Sequence, residues 1–265
     1  MKTLNETLGM KTLILDIETA PNIAYVWRFF KENISPKQVK ENSTLLSYAA
    51  KWLGSDEIMY NDCRGTLDET FLTYELADLL DEADVVVAHN GDRFDLPKIN
   101  TAILRSGEGI PPSPYRTIDT LKVAKKQFKF DSNRLEHIAD HLELPRKKLA
   151  HKKYPGFELW LECLRNNEEA WEEMKEYNIN DILVLEDLYL RFRPWVKNHP
   201  NAGLYTNEHK LVCPKCGGHH VQRRGYAYTN AGKYIKYQCN DCGGWGRTRY
   251  SELSVDKRKT LGTNA

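Results

Sequence analysis

The chain has 265 residues, of which 41% are hydrophobic and 28% charged, an ordinary balance for a soluble fold with room for one sizeable domain and a small one. No apolar run approaches the ~20 residues of a membrane-spanning helix, and Asn5, Glu6 and Gly9 interrupt any signal-peptide core, so a cytoplasmic protein without a membrane partner is expected. The net charge of +1 hides a split: residues 1–204 carry 27 Lys/Arg against 33 Asp/Glu, whereas residues 205–265 carry 11 against 4, an acidic body with a basic tail suited to an anion such as nucleic acid.

Met1-Lys-Thr-Leu is echoed by Met10-Lys-Thr-Leu, so the first nine residues read either as an extension or as sequence ahead of the true start. Residues 11–19 read as a buried strand, and 44–53 and 57–63 as two more around the turn Gly54-Ser55-Asp56. A helix is predicted over 68–82, with Phe71, Leu72, Leu76, Leu79 and Leu80 inward and Asp68 as its cap. Residues 84–89 form a short buried strand, a helix runs from near Phe94 to about Gly107, and 117–120 form a last short strand. Helices follow at 120–128, 133–143, 157–165 and 168–193. Strands followed by alternating helices and strands predict an α/β fold, a mixed sheet with helices on its faces. Residues 196–210 read as a linker, 211–253 as a small cysteine-rich domain with strands at 221–228 and 234–238, and 254–265 as a disordered tail.

Four acids carry the chemistry. Asp16 and Glu18 are two apart on a strand, hence on one face, and charges inside an apolar strand are costly unless something pairs with them. Asp95 lies beyond the carboxyl end of strand 84–89, where α/β sheets place ligands; a helix cap is its plain alternative. Tyr177 and Asp181 are four apart on a helix and share a face, with a surface acid beside a buried tyrosine as the alternative. Carboxylates gathered at one point repel unless cations sit between them, and two divalent metals clamping a phosphodiester would use all four. Asp92 and Asp119 read as turn or helix-cap residues.

These motifs resemble the tyrosine-type DEDD 3′–5′ exonuclease superfamily of the RNase H-like fold. Asp16-Ile-Glu18-Thr19 is similar to its first motif, Asn90-x3-Phe94-Asp95 to its second and Tyr177-x3-Asp181 to its third. The likeness covers about residues 10–195 and is nearest to exonucleases related to the exonuclease domain of B-family DNA polymerases. It implies that Asp16, Glu18, Asp95 and Asp181 bind two Mg2+ or Mn2+ ions. It also implies that Tyr177 orients the attacking water, and that Thr19, Asn90 and Phe94 meet the terminal nucleotide. Single-stranded DNA is the expected substrate, with RNA the alternative, and replication, repair or recombination proteins are candidate partners. A structure-selective nuclease and an inactive nucleic-acid-binding module are the competing readings.

Two basic runs accompany the motifs. Lys122, Lys125, Lys126 and Lys129 lie with Phe128 and Phe130; Arg146, Lys147, Lys148, Lys152 and Lys153 lie around His151 and Tyr154. Each reads as a phosphate track or as a solvated face.

Cys213-Pro-Lys-Cys216 and Cys239-Asn-Asp-Cys242 are separated by 22 residues. Paired cysteines at that spacing, each pair followed by Gly-Gly, predict one structural Zn2+ held by four thiolates, rather than disulfides or redox pairs. The segment is similar to zinc ribbons of transposases and transcription factors. Its interleaved Arg223, Arg224, Tyr226, Tyr228, Lys233, Lys236, Trp245 and Arg247 suit nucleic-acid contact, with a purely structural knuckle as the alternative.

Overall fold

The computed structural model describes residues 9–107, 109–149, 153–207 and 209–262. The reading of the first nine residues therefore lies almost wholly outside the described residues, as do His151 and Lys152 of the second basic run. The chain divides into two compact units, Lys11–Tyr189 and one taking in the chain from Leu190 onward. Among the described residues no helix is long and apolar enough to cross a membrane.

In chain order the first unit comprises Thr12–Thr19 (β1), Ile23–Ala24 (β2), Val39–Glu41 (β3), Leu45–Trp52 (β4), Met59–Asp62 (β5), Thr70–Glu82 (α1), Val85–Ala88 (β6), Asp95–Arg105 (α2) and Arg116–Asp119 (β7). Helices Thr120–Gln127 (α3), Leu135–His141 (α4), Glu158–Leu164 (α5) and Glu168–Phe192 (α6) follow. The main sheet has the order β5-β4-β1-β6-β7. β1 pairs antiparallel with β4 and parallel with β6, so the sheet is mixed, as expected. The small β2–β3 pair is a separate two-stranded ribbon.

β1 alternates, as a strand must. Leu13, Leu15 and Ile17 join one core with Leu72, Leu76 and Leu80 of α1, Ile99 of α2, and Trp171 and Met174 of α6. The next residues along, Asp16 and Glu18, therefore face the opposite side of the sheet. β4 is apolar almost throughout, yet it buries Lys51, whose Nζ lies 2.7 Å from Oε2 of Glu186 on α6, with both side chains over 90% buried. A buried ion pair of this kind holds only if both members stay; here it pins α6 to the sheet.

Asp68 accepts from the Thr70 amide at 2.9 Å, as a residue at the entry to α1 should. Phe71, expected inward, is 59% exposed, because the buried stripe of α1 runs through Leu72, Thr73, Leu76 and Leu80.

The second unit contains Val221–Thr229 (β8), Gly232–Cys239 (β9) and Trp245–Arg247 (β10), in a three-stranded antiparallel sheet of order β10-β9-β8. The stretch read as a linker is not loose. It carries a 3-10 turn at Ala202–Tyr205 whose Ala202 amide donates to the Pro214 carbonyl at 2.8 Å, which seats Ala202 in a buried position. The tail read as disordered contains a short helix, Val255–Lys259 (α7), because the Ser254 hydroxyl accepts from the Lys257 amide at 3.1 Å and caps it.

Candidate metal-dependent active site

Asp16 and Glu18, on β1, meet Asp181 of α6. One oxygen from each of the three lies within 4.8 Å of the others. Asn178, fully buried one residue beyond Tyr177, donates Nδ2 to Asp16 Oδ2 at 2.7 Å and accepts from the Ser47 hydroxyl of β4 at 3.1 Å. β1, β4 and α6 are thereby tied together at the first carboxylate.

Asp95 is not part of this converging trio but borders it. Its Oδ1 accepts from the Ile17 amide at 3.2 Å and it is 3% exposed, at the first turn of α2. It lines the same cleft and its charge acts on Asp16. The turn that delivers it is tight: Asn90 adopts a left-handed φ of 72°, which asparagine tolerates. A Cβ on Gly91 would lie 2.3 Å from the Ala88 Cβ. The Asn90 amide donates to Asp119 Oδ1 at 3.0 Å, and that oxygen also caps α3 through the Leu121 amide at 2.9 Å, the cap role expected of Asp119. Asp92 pairs with Lys122 at 2.6 Å, which withdraws one lysine of the first basic run.

The cleft has a volume of about 560 Å³, and its walls include all four acids, Asn90, Phe94 and Tyr177. Thr19, the remaining sequence candidate, is not among its lining residues. A register shift in the pairing with β4 separates it from Glu18 at the end of β1.

The acids hold their protons unusually tightly. Burial first, and then the charges of Asp95, Asp181 and Glu18, push Asp16 well above the carboxylate range. Burial and Asp181 push Glu18 up to about 8. Burial pushes Asp95 up to about 7. Tyr177 is raised to about 12 by burial and by Asp181, so its phenol stays protonated at neutral pH and acts as a hydrogen-bonding group, not as a base.

Three residues that motif reading passes over belong to this site. Lys148 reads in the sequence as one of a basic run; its Nζ instead lies 2.6 Å from Asp181 Oδ2 and 4.5 Å from the Tyr177 ring centroid. Burial opposes its charge, but the Asp181 and Tyr177 oxygens outweigh that and raise its pKa. Three other described members of that run also pair with acids of this chain: Arg146 with the mostly buried Asp187 at 2.9 Å, and, at the surface, Lys147 with Asp140 at 3.6 Å and Lys153 with Glu169. Trp160 of α5 hydrogen-bonds to Glu18 and meets Tyr177 edge-on, with ring centroids 6.1 Å apart. Asn178 is the third. Only its place inside the third motif could have signalled it.

Hard divalent ions fit this donor set. The oxygens converge, the carboxylates are penalised for being charged together, and Lys148 brings only one positive charge to them. The cysteine cluster fits a different ion. Cys213 and Cys242 Sγ are 3.6 Å apart, and Cys216 and Cys239 Sγ 3.7 Å apart. A tetrahedron with Zn–S bonds of about 2.3 Å has edges of about 3.8 Å. The Gly218 and Gly244 amides each donate to a cysteine sulfur at 3.4 Å, with Gly217 and Gly243 at φ near 73° making the turns. Within this unit the basic and aromatic side chains stack on one another: Lys233 Nζ lies 3.9 Å from the Tyr226 ring centroid and Arg247 3.9 Å from that of Tyr234.

A family model of the RNase_H superfamily matches residues 13–192. The chain belongs to that superfamily. With the acidic cluster in the cleft, it is an RNase H-like nuclease fold. Among solved structures it is similar to the family B DNA polymerase from the hyperthermophilic archaeon Pyrobaculum calidifontis, at 15% identity and a TM-score of 0.50. That likeness spans 69% of this chain but only 25% of the polymerase chain, and at such identity it speaks for the fold alone. No curated protein matches.

Proposed function

We propose that this RNase H-like protein is a 3′–5′ exonuclease that releases nucleoside monophosphates from single-stranded DNA. The observation that carries the reading is the convergence of Asp16, Glu18 and Asp181 oxygens within 4.8 Å at the wall of an open cleft. Asp16, Glu18 and Asp181, with Asp95 beside them, would hold two Mg2+ or Mn2+ ions. Bound there, such ions supply Lewis acidity and positive charge for phosphodiester hydrolysis.

The protein's own groups do the positioning. Asn178 fixes the Asp16 carboxylate through Nδ2, and the Ile17 amide fixes Asp95. The Tyr177 phenol, protonated and at the cleft wall, is suited to hold a water by its hydroxyl. Phe94 and Asn90 line the cleft where a terminal nucleotide would enter. The Lys148 ammonium shields Asp181 and is placed to meet a phosphate oxygen. The ribbon would hold one Zn2+ through Cys213, Cys216, Cys239 and Cys242 and add a second, sequence-tolerant grip on nucleic acid.

The test is a time course on 5′-labelled single-stranded DNA and RNA with Mg2+, Mn2+ or EDTA, beside Asp16→Ala. A metal-dependent ladder shortening from the 3′ end, abolished by the substitution, is expected, with DNA the faster substrate. Internal cuts, or no cuts, would overturn the exonuclease reading.

A further inference from the structure

Between β2 and β3 the chain throws out an arm whose apolar side chains face water. Trp27 and Phe29 are each 93% exposed and Phe30 is 83% exposed. A soluble protein seldom leaves three large aromatic rings so close together in water without a use.

The arm is built. The Glu32 carboxylate accepts from the Trp27 amide at 3.0 Å and the Arg28 amide at 2.9 Å, which closes the turn beneath the rings. Gln38 bridges the two limbs, donating Nε2 to the Tyr25 carbonyl and to Glu32, both at 3.0 Å, while the Tyr25 amide donates to the Gln38 carbonyl at 2.9 Å. Asn22 Oδ1 takes the Ser43 amide at 2.8 Å and clasps the base. These bonds hold the rings outward.

The charges of the arm are basic. Among the described residues Arg28, Lys31 and Lys37 have no carboxylate partner, while Glu32 is consumed inside the turn. The base of the arm opens onto a second cleft of about 230 Å³, lined by Ser43, Thr44, Arg93, Phe94 and Lys98. Lys98 donates only to the neutral Ser43 hydroxyl at 2.9 Å, and Arg93 has no ion-pair partner among the described residues. Phe94 lines both this cleft and the carboxylate cleft. A basic, aromatic-tipped path therefore runs from the acids, past Phe94, over Arg93 and Lys98, to the arm.

We propose that the arm is a stacking platform for unpaired bases of a nucleic-acid strand whose end lies at the carboxylates, with the intervening phosphates on Arg93 and Lys98. The inference rests on the nuclease reading of that site. Aromatic rings serve every base through its π-face, and unpaired cations serve the backbone, so this chemistry fits a single strand of any sequence. A protein partner or a second copy would be served by the rings but not by the run of free cations leading to the acids.

The experiment uses the full chain with Ca2+ as the divalent ion and fluorescein-labelled dT20 and dT3. Trp27→Phe keeps a ring, and should retain dT20 affinity by anisotropy while losing the Trp27 share of the dT20-induced tryptophan quenching. Trp27→Ala/Phe29→Ala/Phe30→Ala should weaken dT20 binding at least tenfold, with a much smaller loss for dT3. Affinity for dT20 within twofold of the wild type in the triple variant, with the same quenching in Trp27→Phe, overturns the proposal. So does a wild-type dimer that the triple variant converts to monomer with dT20 binding intact, since the arm then serves a second copy. A wild type that binds dT20 through the arm but never hydrolyses it with Mn2+ would leave the platform standing and sink the nuclease reading instead.

Discussion

Removing divalent ions from this protein should make its stability fall as pH rises, and restoring them should reverse that slope. Glu18 ordinarily titrates near 4.5 and is pushed up to about 8; Asp95 moves from 3.8 to about 7. Both folded values lie above the unfolded ones, so between about pH 4 and 8 the folded chain binds more protons than the unfolded chain. Stability is then fully present below the unfolded values and is lost as pH climbs through the folded ones. A tenfold difference in proton affinity between the folded and unfolded chain is worth about 1.4 kcal/mol. Protonation of one acid relieves the others, so the contributions do not add, and the loss between pH 5 and 8.5 is about 3–5 kcal/mol. For a domain of this size that lowers the melting temperature by roughly 10 °C. On the two-metal reading Mn2+ would bind the deprotonated carboxylates of the folded state only, so its stabilisation should grow with pH. The assay is thermal melting from pH 5 to 8.5 with and without Mn2+, followed by tryptophan fluorescence, to which the fully buried Trp171 contributes. A metal-free melting temperature that is flat or rises across that range would refute the electrostatic account of the cluster. Asp16→Asn should flatten the metal-free slope.

Lys148→Met removes the cation on Asp181, and calorimetry should find Mn2+ bound about tenfold more tightly, with turnover of a DNA substrate reduced. Tyr177→Phe keeps the ring against Trp160 but loses the hydroxyl, and kcat should fall about a hundredfold with KM nearly unchanged. Lys51→Met leaves Glu186 buried with only Arg146, 3.5 Å away on a partly exposed side chain, to answer it; denaturant melts should show a loss of about 3–5 kcal/mol. Deleting residues 205–265 should spare activity on short oligonucleotides while lowering both affinity for long strands and its dependence on salt, which binding titrations at several ionic strengths would show.

Much of this molecule was legible before any coordinates. The apolar run around Asp16 and Glu18 reads as a buried strand, and period-two alternation puts both acids on one face and Ile17 on the other, in the core. Four-residue spacing likewise puts Tyr177 and Asp181 together on α6, and paired cysteines with Gly-Gly turns announce their own cluster. These are local relations, set by backbone geometry within a few residues. Where local rules gave way, a distant partner had intervened. Only a bond to the Ile17 amide, 78 residues away, brings Asp95 beside the trio. Lys148 is drawn into the cleft by Asp181, and Asn178 is buried between Asp16 and Ser47. A one-dimensional pattern cannot tell a lysine that faces water from one that neutralises a buried acid, because the difference lies wholly in which charge arrives from elsewhere in the chain. The exposed rings at Trp27, Phe29 and Phe30 make the same point in reverse. Their composition suits a core; a local turn closed by Glu32 gathers them, and only the tertiary structure decides that they are left uncovered by the described residues.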